Sequence, residues 1–300
     1  MFLKNSRLFF CSCLLSLPLT EGAPPPVPPL PPEDCSQILE VDPTRDFYNH
    51  LPLDAFRTRA KACGIVDKDG KSVDLNQPCL REIIQTAERV LVVGPGFGRE
   101  LKHLLDLQAE IGFPKQIFAV DLSDKNCNYL HSQFDVPVET GATLTDQRLV
   151  IWHSDIIDFR LPNDTRVDLA IFQFGGIFEL SPRKKDAFFD RMKKIVRPRG
   201  KLALDMPANF VPVAPLMEVR RDGVVLLSLA QLIGNPHLTQ KLRFYPVKWR
   251  DLVNIATPRG FRLVGPLGDR APYRYKVLMT KAGTSVQDER LQLIFENTNP

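Results

Sequence analysis

The sequence predicts a doubly wound α/β fold around a mostly parallel sheet, on three observations. Short apolar runs at Arg89–Val93, Gln116–Val120, Leu149–Trp152, Val167–Phe172 and Lys201–Leu204 lack polar alternation, as strands buried on both faces do. Between them lie stretches with helical spacing, at Arg99–Glu110, Ser123–Gln133 and Pro182–Val196. Three glycines, Gly94, Gly96 and Gly98, stand where the first run meets the first of these helices.

The remaining elements follow in chain order. Residues 1–23 carry Lys4 and Arg7, an apolar run from Leu8 to Leu19, and a small-residue stretch ending at Ala23, which is the layout of a secretory signal peptide. That run is too short for a membrane-crossing helix, which needs roughly twenty apolar residues. Residues 24–34 are dominated by prolines, which fix φ and lack a backbone donor, so they form a polyproline II spacer. Residues 35–88 are expected as a helical cap, with helices at Asp46–Cys63 and Pro78–Ala87 and a turn at Asp67–Gly70.

Further on, Ser181 and Pro182 supply an N-cap and a first-turn proline, and Arg197-Pro198-Arg199-Gly200 ends that helix. An insert at about 206–245 includes a hairpin turning at Asp222-Gly223 and a strand at Leu242–Tyr245. Pro246–Pro258 is read as a helix, Phe261–Val264 and Tyr273–Thr280 as strands, and 282–300 as a tail holding a short helix at most.

Composition narrows the class. Of 300 residues, 44% are hydrophobic and 25% charged, which excludes collagen-like and wholly disordered chains. A net charge of +4 is too small to argue for nucleic acid as a partner. The six cysteines are too few for a disulfide scaffold and show no zinc spacing, so no metal site is expected. Cys35, Cys63, Cys79 and Cys127 could pair in an exported protein, and Asn163-Asp164-Thr165 is a glycosylation sequon on a eukaryotic route.

The chemistry concentrates at the glycines. Glycine lets a backbone approach a ligand closely, and a helix N-terminus offers free N–H groups and a favourable dipole. The spacing fits neither a dinucleotide fingerprint, whose third glycine would fall at Arg99, nor a Walker loop, which requires Gly-Lys-Ser/Thr where Gly98-Arg99-Glu100 stands. Asp121 ends the second strand, where a carboxylate can accept ribose hydroxyls, and Asp155 follows the third, where it can receive an adenine amino group while Ile156 packs on the ring. Each aspartate taken alone reads as a cap or turn residue; the three features in order point to a nucleoside site.

These motifs resemble those of class I S-adenosylmethionine-dependent methyltransferases, over about Leu80 to Lys281. Val167–Pro182 is similar to that family's fourth-strand block, and Met192–Leu204 to the helix, turn and fifth strand after it. The resemblance implies a seven-stranded sheet spanning 89–281, with Tyr273–Thr280 as the antiparallel seventh strand. It implies S-adenosyl-L-methionine as cofactor, held by Gly94, Gly96, Gly98, Asp121, Leu122, Asp155, Ile156 and Phe172. Two positions depart from the pattern: Val92 stands where many members have an acid, and Pro95 removes a donor from the loop.

The implied function is methyl transfer to an oxygen or nitrogen nucleophile of a small molecule, or alternatively of a protein. The acceptor face is expected at Gln173–Phe178, whose phenylalanines also read as core. Glu179 and His153 are candidate proton acceptors, with no catalytic base assigned. The block that marks nucleobase amino substrates is missing after the fourth strand, as are the extra acids of polyamine synthases. The non-enzyme alternative is an exported binding protein on a decayed methyltransferase scaffold. The N-terminus points to export, with cytoplasmic residence as the alternative.

Overall fold

The computed structural model describes residues 42–55, 72–136, 148–173, 175–210, 212, 216–265, 271–281 and 284–300. The signal-like segment, the proline spacer and the turn at 67–70 lie outside them.

The central sheet contains β1 (Arg89–Val93), β2 (Gln116–Asp121), β3 (Leu149–His153), β4 (Val167–Phe172) and β5 (Val196–Pro207), all parallel. It is completed by β9 (Phe261–Leu263), β10 (Tyr273–Lys281) and β11 (Thr284–Asn297), in the order β10-β11-β5-β4-β1-β2-β3 with β9 also on β11. Because β9 pairs with Phe295–Asn297 and β10 with Thr284–Gln292, they lie end to end along one edge of β11, and the eight strands fill seven positions.

Helices cover both faces, as buried parallel strands require. Val90 and Val92 of β1 pack with α2 (Pro78–Thr86), α3 (Arg99–Ile111) and α4 (Asp124–Phe134) through Leu80, Ile84, Leu101, Leu104 and Leu130. Leu91 and Val93 face α1 (Pro43–His50), α5 (Pro182–Ile195) and α7 (Trp249–Ala256) through Phe47, Phe188, Phe189 and Leu252. Helices α1 and α2 thus lie on different faces, with α1 beside the cleft described below and α2 behind the sheet. From β1 the chain runs through β2 and β3 toward one edge, whereas β4 and β5 lie toward the other. In such sheets the crevice at the strands' carboxyl ends beside this reversal is where ligands bind.

Several expectations need correction. The antiparallel strand beside β5 is β11, not Tyr273–Thr280, which forms the edge. The stretch read as a loose tail is therefore an interior strand, with Leu291, Leu293 and Phe295 buried. It was obscured because buried Arg290 and Gln292 interrupt its apolar run, and their partners Asp205 and Gln173 lie far away in sequence.

Within the stretch expected as a helix at Asp46–Cys63, α1 starts earlier and ends at His50, residues 53–55 are helical again, and residues 56–63 lie outside the described residues. Asp42 caps α1 by accepting from Thr44 N at 2.8 Å, and Leu51, extended ahead of Pro52, closes it. Arg197–Gly200 does end α5, but it forms an irregularity within β5, since register shifts between the Val167–Val196 and Leu169–Lys201 pairs. The insert contains a separate antiparallel sheet of β6 (Met217–Val219), β7 (Val225–Ser228) and β8 (Lys241–Phe244), with α6 (Leu229–Ile233) between the last two. Buried Lys185 ties it to the core by donating to the carbonyls of Leu180 and Tyr245. Cys79 and Cys127 are free thiols; Cys35 and Cys63 lie outside the described residues.

Candidate active site

A cleft containing about 1040 Å³ of space open to solvent lies at the carboxyl ends of β1, β2, β3 and β4. The structure brings to its walls Gly94, Gly96, Asp121 and Leu122, together with Asp155, Ile156 and Phe172. Gly98 stands behind them: it caps α3 with φ +87°, and a Cβ there would lie 2.6 Å from the Phe134 ring. Its hydrogen in place of a side chain serves the packing of α3 against α4.

Asp121 is buried, and its Oδ2 accepts from Gly96 N at 3.0 Å while Oδ1 accepts from Ser123 N at 2.9 Å and Asn126 Nδ2 at 3.2 Å. Burial raises its pKa to about 6, against the lowering effect of these hydrogen bonds. A carboxylate offers about four acceptor positions. One therefore remains for a ligand hydroxyl, rather than places for two without rearrangement.

Asp155 accepts from Ile157 N at 2.9 Å and pairs with Lys184 at 3.3 Å. Both aspartates accordingly perform the local turn role that each would have alone, while also lining the cleft.

Lys184, in the first turn of α5, also reaches Asp42 at 2.9 Å, joining α1 to the far wall. Burial works to lower the Lys184 pKa, but the Asp42 and Asp155 carboxylates outweigh it and hold the ammonium above its usual range. Burial likewise works to raise Asp42, and Lys184 overrides it in the other direction. A second tie runs from Tyr48 of α1, whose hydroxyl donates to Glu179 Oε1 at 2.5 Å.

The two candidate proton acceptors separate here. Glu179 and Tyr48 line the cleft, whereas His153 does not; its Nε2 lies 2.9 Å from the Arg45 guanidinium and 3.0 Å from Asp124. Phe172 belongs to the core and the cleft wall at once, 5.4 Å from the Phe188 ring, and Phe178 is core, edge-on to Phe210. Phe174 lies outside the described residues. Gln173 lines the cleft and accepts from buried Gln292 of β11 at 3.4 Å.

Sequence reasoning missed Asp42, Tyr48, Arg99, Glu100, Asn126 and Lys184 as lining residues. Asp42-Pro43 carries a helix-start signal that marks where α1 begins, but nothing local indicates that the helix faces the cleft. Among the described residues, no cluster of His, Cys, Asp and Glu could hold a metal ion, and no helix is long and apolar enough to cross a membrane.

No protein-family model and no curated protein matches the chain. Its similarities are to solved structures. The CcbJ methyltransferase from Streptomyces caelestis is 15% identical, covers 86% of this chain and 100% of its own, and superposes with a TM-score of 0.55. An S-adenosylmethionine-dependent methyltransferase from Clostridium acetobutylicum is 12% identical over 82% of this chain and 99% of its own, with a TM-score of 0.54. One from Methanosarcina mazei is 13% identical over 75% and 99%, with a TM-score of 0.52. At such identities the likeness is one of architecture, and with the strand order above it establishes that this chain has the class I methyltransferase fold.

Proposed function

We propose that the chain binds S-adenosyl-L-methionine and transfers its methyl group to an oxygen or nitrogen nucleophile of a small-molecule acceptor. The carrying observation is the convergence of Gly94, Gly96, Asp121 and Asp155 on one cleft at the strand reversal of this fold. The residues fit the cofactor: Asp121 retains an acceptor position for a ribose hydroxyl, and Ile156 and Leu122 offer apolar surface for a purine.

When bound, the cofactor supplies an electrophilic methyl on a positively charged sulfur, which needs little covalent assistance. The protein's contribution is then chiefly to hold donor and nucleophile in line. Phe172 and Leu180 exclude water along part of the wall, and the Glu179 carboxylate, oriented by the Tyr48 hydroxyl, is placed to take a proton from an acceptor hydroxyl or ammonium. Residues 1–23 are proposed to direct export, which sequencing of the mature N-terminus tests: an intact Met1 refutes cleavage.

Calorimetric titration of the full chain with S-adenosylmethionine and S-adenosylhomocysteine tests the cofactor reading. Saturable binding of both is expected; no heat at high micromolar ligand would sink the reading.

A further inference from the structure

The glycine loop has few donors left for the amino-acid end of a bound cofactor. Gly94 N donates to Val120 O at 2.8 Å, Gly98 N to Pro95 O at 2.9 Å, and Gly96 N to Asp121, while Pro95 has no N–H. Val92, where an acid would stand in the resembling family, is buried in the apolar face behind β1.

The next two residues provide a different polar surface. Arg99 and Glu100, in the first turn of α3, both line the cleft although their side chains are only 7% and 9% exposed. The Arg99 guanidinium donates to Glu100 Oε1 and, through both terminal nitrogens, to Asp74, whose side chain is 1% exposed. Asp74 does not line the cleft and grips Arg99 from behind. A fixed guanidinium and a fixed carboxylate therefore stand side by side at the wall. Buried and held, they are preorganised, and charge-assisted hydrogen bonds to such groups exceed those between neutral partners.

The ligand group that complements them carries both charges. With Asp74 and Glu100 both on Arg99, an anion alone would meet the Glu100 carboxylate beside the guanidinium, whereas an ammonium offered to Glu100 together with a carboxylate over Arg99 keeps the charges paired. The methionine moiety of S-adenosylmethionine is such a zwitterion. Resting on the methyltransferase reading above, we propose that Arg99 binds its α-carboxylate and Glu100 its α-ammonium, with Asp74 as a positioning residue for Arg99. This pair takes the place of the acid missing at Val92 and of the donor lost at Pro95.

The test compares S-adenosylhomocysteine with methylthioadenosine, a thioether nucleoside lacking both amino-acid charges, by calorimetry on the full chain. Glu100→Gln keeps an oxygen for Arg99 but removes the charge. It should weaken S-adenosylhomocysteine by about tenfold and leave methylthioadenosine within about twofold. Asp74→Asn should show the same selective pattern, less strongly.

Equal weakening of both ligands would assign Glu100 a purely structural role, and no change in either would remove it from the site; each outcome overturns the proposal. If the variants do not fold, the wild-type protein decides: decarboxylated S-adenosylhomocysteine should bind about tenfold more weakly than the parent, and equal affinity refutes the Arg99 contact. Failure of the wild type to bind either nucleoside would instead refute the methyltransferase reading on which the proposal rests.

Discussion

The ends of β2 and β3 present the same residue type in the same topological position, yet the two aspartates live under different electrostatics. Asp121 is 5% exposed and held by uncharged donors from the glycine loop and α4. Asp155 is partly exposed and shares its charge with Lys184, which also holds Asp42. In the first case the protein keeps a carboxylate whose ionisation is costly in the absence of ligand. In the second, the charge is already offset in part by an ammonium shared with Asp42. Affinity should therefore depend strongly on Asp121 and moderately on Asp155.

Substitution at Asp121 gives the largest expected effect. Asp121→Ala should weaken S-adenosylmethionine by about 2–3 kcal/mol, since it removes a charge-assisted acceptor and leaves buried N–H donors without partners. Calorimetry checks the affinity and thermal unfolding the accompanying loss of stability; an unchanged dissociation constant would refute the site while leaving the fold intact.

Acidity gives the next. The Asp121 pKa is raised from 3.8 to about 6 by burial. Below pH 3.8 the carboxyl is protonated in both folded and unfolded chains. As pH rises from there through about 6, the unfolded chain releases its proton first, so the ligand-free protein loses stability, on the order of 2–3 kcal/mol across the window. Ligand affinity should move oppositely, rising as pH passes about 6 and the carboxylate becomes a full acceptor. Asp121→Asn should flatten this contribution to both profiles, whereas Asp155→Asn should preserve it. A wild-type affinity independent of pH between 5 and 7 would contradict the assignment.

The smallest effect belongs to β3. Asp155→Asn should cost about 1 kcal/mol of affinity, because the amide retains an oxygen and the lost charge was shared with a half-exposed lysine. A loss as large as that at Asp121 would erase the proposed asymmetry between the strand ends.

The parallel half of the sheet was legible because its information is local. Unbroken apolar runs mark strands buried on both faces, and Ser123, Ser181 and Pro182 announce the helices that follow. The glycines and strand-end aspartates were visible for the same reason. Where partners are distant in sequence, this reasoning failed. Arg290 looks like a surface residue until Asp205 is placed against it, and Tyr48 becomes a cleft residue only once Glu179 is opposite. At Gly98, loop spacing shows that a side chain is excluded but not whether a ligand or the Phe134 ring excludes it.

The position of β11 also imposes an order of assembly. Among the described residues, β9 and β10 pair within the sheet only with β11, and β11 in turn is what joins them to β5. As the chain leaves the ribosome, both strands emerge before the segment that can accept them. The parallel half, whose strands emerge earlier, can close first; the other edge keeps backbone groups unpaired until residues 284–297 arrive.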